Sequence, residues 1–165
     1  MKYGIIVLKW VNKMKIAIGS DHAGFNLKNE IIEHLKKQNI EILDEGTYGL
    51  DSVDYPDYAV KVCHDYVNKV VDYGILVCYT GIGMSMAANK VEGVRAALVG
   101  KVEDAVLTKE HNNANVLCLS AKNTETSLAL EIVDAFLKTD FTYGRHERRV
   151  QKVMDIEKAM YIKNE

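Results

Sequence analysis

The sequence predicts an α/β fold: five short strands alternating with helices, a parallel sheet in the order 2-1-3-4-5 covered on both faces, and a charged C-terminal helix. Three observations carry this. Short apolar runs rich in Val, Ile and Leu recur along the chain with β-propensity and no helical period. The segments between them place apolar residues three and four apart, the spacing of a half-buried helix. The first and third runs end in glycine-containing turns, at Gly19–Gly24 and Thr80–Gly83.

Taken in order, Lys15–Gly19 is the first strand and Gly19–Gly24 the turn after it. Phe25–Lys37 carries Leu27, Ile31, Ile32 and Leu35 on one helical face, and Ile40–Leu43 is a short second strand. Asp44–Tyr58 reads as a long loop, a length that is often functional, and Tyr58–Val70 as a second helix. Gly74–Cys78 is the third strand, broken at Thr80-Gly-Ile-Gly83, and Met84–Lys90 a short helix. Arg95–Val99, Glu103–Glu110 and Asn115–Leu119 give a fourth strand, a helix and a fifth strand. Thr124–Leu137 is amphipathic through Leu128, Ile132, Ala135 and Phe136, and Gly144–Lys163 closes the chain.

The 165 residues suit one domain with a full core. Residues 14–165 form that domain, because Met14 begins the first strand naturally, and residues 1–13 read as an N-terminal extension. Its apolar stretch Ile5–Val11 is too short to span a bilayer and lacks a signal-peptide cleavage site. A net charge of −2 argues against a broad nucleic-acid-binding face. Three cysteines, Cys63, Cys78 and Cys118, without metal-ligand pairing fit a reduced cytoplasmic protein. No cluster has metal spacing, so no metal is expected. The glycine turn lacks the lysine of a nucleotide loop and the spacing of a dinucleotide fingerprint.

In such sheets ligands sit beyond the carboxyl ends of the strands. Asp21 and His22 follow strand one, and Cys78, Tyr79, Thr80, Gly81, Ile82 and Gly83 follow strand three. Free N–H groups of the turn and helix start would attract an oxyanion, and a thiol beside them is favoured as thiolate. Cys78 equally suits plain core packing. Asp21-His22 suits a turn or helix cap as well as a ligand contact. His111, Asn112 and Asn113 could cap a helix. Arg145 and Arg149, four apart on one face, suit either a phosphate or a solvated charged surface. His34 and His64 read as helix-surface residues.

Six motifs in order make the resemblance specific: Gly19-Ser-Asp-His-Ala-Gly24, Asp54-Tyr-Pro56, Cys78-Tyr-Thr-Gly-Ile-Gly83, Ala87-Ala-Asn-Lys90, His111-Asn-Asn-Ala-Asn115 and Gly144-Arg-His146. Together the chain, over residues 14–160, resembles the type B ribose-5-phosphate isomerase family, which also holds allose- and galactose-6-phosphate isomerases. The resemblance implies a flavodoxin-like three-layer fold and a cofactor-free aldose–ketose isomerase working through an enediolate. It implies Cys78 as the base, Thr80 assisting ring opening, and His111 as the acid–base group that opens the furanose from a second subunit. It implies substrate contacts from Asp21, His22, Tyr55 and Asn112, and from the backbone of Tyr79, Gly81, Ile82 and Gly83. Arg145 and Arg149 would clamp the phosphate. A homodimer is the implied minimal unit, with a tetramer open.

Tyr79 stands where relatives commonly have Gly, and Lys122 where many have Arg. One branch of the family uses a glutamate at the position of Met84, which cannot act as a base. The expected reaction is therefore ribose 5-phosphate to ribulose 5-phosphate with Cys78 as base. Alternatives are a hexose-6-phosphate isomerase, allose 6-phosphate first, or a non-catalytic flavodoxin-like ligand-binding module.

Overall fold

A computed structural model describes residues 13–161. The expected extension, residues 1–13, lies outside the described residues except for Lys13. The strands are β1 (Lys15–Ser20), β2 (Glu41–Asp44), β3 (Tyr73–Cys78), β4 (Ala96–Leu98) and β5 (Val116–Ser120). The helices are α1 (Phe25–Lys37), α2 (Tyr55–Val67), α3 (Ile82–Ala88), α4 (Val102–Asn112), α5 (Thr126–Lys138) and α6 (Arg145–Tyr161). All strand pairs are parallel. Among the described residues no helix is long and apolar enough to cross a membrane.

The class is the expected three-layer α/β fold, but the strand order is β2-β1-β3-β5-β4 rather than 2-1-3-4-5. The reason lies in burial. β5 is buried throughout and takes a place inside the sheet, whereas β4 is three residues long, half-exposed, and fits only an edge. The return from β4 to β5 therefore runs backward, and right-handed connection sends α4 to the face of α1 and α5.

Each face carries its own core. Ile16, Ile18, Ile75, Val77, Leu117 and Leu119 pack on α1 and α5 through Leu27, Ile31, Leu35, Ile132, Val133 and Phe136. Ala17, Leu76, Cys78, Val116 and Cys118 face α2 and α3 through Ala59, Val62, Cys63, Met84 and Ala88. His34 is less solitary than expected: its Nε2 lies 2.8 Å from Asp134 Oδ1 and ties α1 to α5.

The long loop is shorter than expected, because α2 begins at Tyr55 and not at Tyr58. Asp54 is extended at the cap, and Pro56 sits in the first turn, where its missing N–H costs nothing and its fixed φ suits the helix. The helix after β3 is likewise shifted, running Ile82–Ala88 instead of Met84–Lys90.

A charge lies inside the first core. Lys109, 2% exposed, places its Nζ 4.0 Å from the centre of the Tyr73 ring and 5.0 Å from that of Phe136. Burial pulls this ammonium down to about 8, with Asp140 opposing and Arg95 adding to the shift. Between pH 8 and the ordinary lysine value the unfolded chain holds a proton that the folded chain has lost, so stability rises with pH across that window. The penalty is complete below pH 8. Lys109→Met should therefore stabilise the protein at pH 7 by roughly 1–3 kcal/mol, the ring faces offsetting part of the cost. Denaturant melts at pH 7 and pH 10 check this: the variant's advantage should shrink at pH 10, and an advantage that grows would refute it.

Candidate active site

The carboxyl end of β3 is built by its glycines. Gly81 has φ +75°, and a Cβ there would lie 2.4 Å from Leu98 Cδ1 and 3.0 Å from the Leu119 carbonyl carbon. Only glycine turns so tightly against β5. The turn brings the Gly81 N–H onto Cys78 Sγ, to which it donates at 3.2 Å. The Ile82 N–H donates to Thr80 Oγ1 at 3.3 Å, leaving the threonine hydroxyl proton free to be given elsewhere. A Cβ on Gly83 would meet the Tyr55 ring at 2.7 Å, so Tyr55 lies flat against the first turn of α3. The peptide after Tyr79 is fixed from β5: the Tyr79 carbonyl accepts from Ser120 Oγ at 3.0 Å and from the Lys122 N–H at 2.9 Å.

Cys78 is 4% exposed. Cys63 and Cys118 lie in the same core. Burial pushes the Cys63 thiol up to about 12. Burial, with Cys63 and Cys78 beside it, holds Cys118 well above the usual thiol range. Met84 is fully buried.

Beside this turn, at the end of β1, Asp21 is 7% exposed and accepts the Gly24 N–H on Oδ1 at 2.9 Å, while its own N–H donates to the Val77 carbonyl. His22 Nδ1 accepts the Val53 N–H at 3.2 Å. An acceptor at Nδ1 leaves the proton of the neutral ring on Nε2. Asp21, His22, Tyr55 and Cys78–Gly83 thus gather at one end of the sheet, around the gap between β1 and β3.

His111, Asn112, Arg145 and Arg149 gather elsewhere. α4 starts beyond the carboxyl end of β4 and returns to the start of β5, so its last turn lies at the opposite end of the sheet from Cys78. The five residues of β5 alone span roughly 17 Å. Asn113 closes α4 with φ 48°, and its carbonyl accepts from Arg95 Nε at 2.8 Å. Thr142 ties the approach to α6 onto α4, its N–H and hydroxyl both donating to the Glu110 carbonyl. Asn112 and Arg149 line one cleft of about 450 Å³ with Arg95, Thr108 and Val153.

His146 went unassigned in the sequence, where only its place in the Gly-Arg-His run marked it. Its ring stacks on His111 at 4.2 Å and 5° between planes. Burial lowers the His146 imidazole below its ordinary range, and His111, Arg145 and Arg149 lower it further. Ser120, which anchors the Tyr79 carbonyl, also carried no sequence signal, since a serine ending a strand has many uses.

Comparison with known proteins gives one consistent result. The family model described as Ribose/Galactose Isomerase matches residues 16–153. The ribose-5-phosphate isomerase B of Escherichia coli is 43% identical over 143 residues, 87% of this chain and 96% of that protein. Among solved structures, the Clostridium thermocellum ribose-5-phosphate isomerase B superposes with a TM-score of 0.88 at 50% identity, covering 89% of this chain and 99% of that one. The Mycoplasma genitalium ribose-5-phosphate isomerase B with bound ribulose-5-phosphate gives 0.84 at 48% identity, covering 88% and 97%.

Proposed function

The chain belongs to the ribose/galactose isomerase family, and from that premise we propose that it is an aldose–ketose isomerase interconverting D-ribose 5-phosphate and D-ribulose 5-phosphate. The observation that carries the reading is the Cys78 sulfur held at the strand end by the Gly81 N–H, with the N–H groups opening α3 beside it. Isomerisation moves a proton between adjacent carbons. Cys78 takes the proton from the carbon next to the carbonyl, and the electron pair moves onto the carbonyl oxygen as an enediolate. Backbone N–H groups of Tyr79 to Gly83 hold that oxyanion, and the proton returns to the neighbouring carbon. Asp21 lies near the sugar ring, His22 near the phosphate, and Tyr55 beside the substrate. The chemistry needs no redox cofactor, since the substrate is oxidised at one carbon and reduced at the next.

Ring opening and phosphate binding fall to His111, Asn112, Arg145 and Arg149, which lie at the far end of the sheet in their own subunit. The site is therefore completed by a second copy, whose His111 opens the furanose with Thr80 and whose arginines hold the phosphate. A half-exposed apolar rim of Tyr79, Ile82, Met86 and Leu98 beside the Cys78 turn supports this, being a surface that a subunit would bury.

The direct test is an assay of purified protein on ribose 5-phosphate and on allose 6-phosphate. A higher kcat/KM for the pentose phosphate supports the assignment. Preference for the hexose phosphate moves it within the family, and binding without turnover makes the chain a ligand-binding module. For the clamp, Arg145→Ala or Arg149→Ala should each raise KM for the phosphorylated sugar, as charge-assisted hydrogen bonds contribute roughly 1.5–3 kcal/mol. Binding of unphosphorylated ribose should barely change. Equal losses for both sugars would remove the arginines from the site.

A further inference from the structure

A lysine outside the site is buried more completely than any catalytic group. Lys28, on α1, has a side chain 0% exposed, and its Nζ meets Asp44 Oδ1 at 2.5 Å. The ammonium also lies 5.3 Å from the centre of the Tyr48 ring and 5.7 Å from that of Phe25. Burying a lysine at this depth is costly unless its partner is fixed. Here the partner in turn fixes something else.

The same Asp44 oxygen accepts the Gly46 N–H at 3.0 Å, and the Asp44 carbonyl accepts the Tyr48 hydroxyl at 2.7 Å. The Gly46 carbonyl accepts the Ser20 N–H at 2.7 Å, and the Thr47 N–H donates to the Ser20 carbonyl at 2.9 Å. Ser20 immediately precedes Asp21 and His22. The far end of the loop comes back as well, since the Val53 N–H is the donor on His22 Nδ1. The segment 44–53 is thus fastened at both ends to residues 20–22, and Lys28 is the charge at its root.

We infer that Lys28 is a positioning residue: through Asp44 it holds the loop 44–53 that sets the direction and ring tautomer of His22. The inference rests on the sugar-phosphate reading only in supposing that His22 meets the substrate. The loop's dependence on Lys28 stands apart from that.

The test uses Lys28→Met in the full chain. Methionine fills the same apolar channel, and Asp44, at 31% side-chain exposure, can be hydrated without its partner, so the fold should survive. Two readouts are taken. Hydrogen exchange at the Thr47 and Val53 amides should quicken by about tenfold, while Ile75 and Leu117 in the sheet stay as they were. KM for ribose 5-phosphate should rise by about tenfold with kcat within about twofold, because the base is untouched and the substrate contact is displaced. In a His22→Ala background, Lys28→Met should shift KM no further. Unchanged exchange at Thr47 and Val53 overturns the inference, as does a KM effect that adds fully to that of His22→Ala. Faster exchange throughout the sheet would also overturn it, making Lys28 a general support of the fold. Asp44→Asn, which keeps an acceptor for both Lys28 and Gly46, should give smaller shifts of the same kind and serves if Lys28→Met does not fold. Quickened exchange in a protein that turns over no sugar phosphate would sustain the loop assignment and defeat the functional one.

Discussion

Cys78→Ala should lower isomerisation by about 10³-fold or more while the sugar phosphate still binds. The size of the loss follows from the lack of a substitute. Cys63 and Cys118 share the same core, but burial holds both thiols above the range in which a base could form. Met84, in the first turn of α3, has no ionisable group. Alanine at 78 leaves the Gly81 turn intact, because φ +75° and the packing on Leu98 and Leu119 hold it independently of the sulfur. Ketose formation measures turnover, and calorimetric titration with a substrate analogue measures binding. Alkylation of the wild type should inactivate it at the same step, with substrate protecting. Near wild-type turnover in Cys78→Ala would take the base away from Cys78.

Much of the carboxyl-end cluster was legible because its constraints are local. A strand, a Gly-containing turn and a helix start fix where Cys78 and its N–H donors stand, whatever the rest of the sheet does. Strand order is not local. β4 and β5 are both short and apolar in sequence, and only the competition for the interior sends the three-residue strand to the edge. Asp54-Tyr-Pro56 fits a loop in sequence, but proline in the first turn marks a helix beginning as readily.

His146 and Lys28 were illegible for another reason. Their roles lie in contacts between elements far apart in the chain: His146 on His111 across the α4–α6 junction, and Lys28 on Asp44 from α1 to β2. A lysine within an amphipathic helix reads as solvent-facing until its burial is seen. With β4 at the edge of the sheet, what separates His111 from Cys78 within one subunit is the length of the sheet.

The proposed sharing of each site between two subunits is tested most directly by mixed subunits. Cys78→Ala and His111→Ala are prepared separately; if the protein is the proposed dimer, each variant has every site damaged. Unfolded and refolded together, they pair at random, and half the dimers are mixed. In a mixed dimer one site takes Cys78 from one chain and His111 from the other and is whole, while the second site lacks both. About a quarter of wild-type activity should return, since the two-fold relation gives each mixed dimer one good site of two. Mixing the folded homodimers without exchange should return none. Mixed dimers verified by mass that restore no activity would contradict the shared site and return His111 to its own subunit.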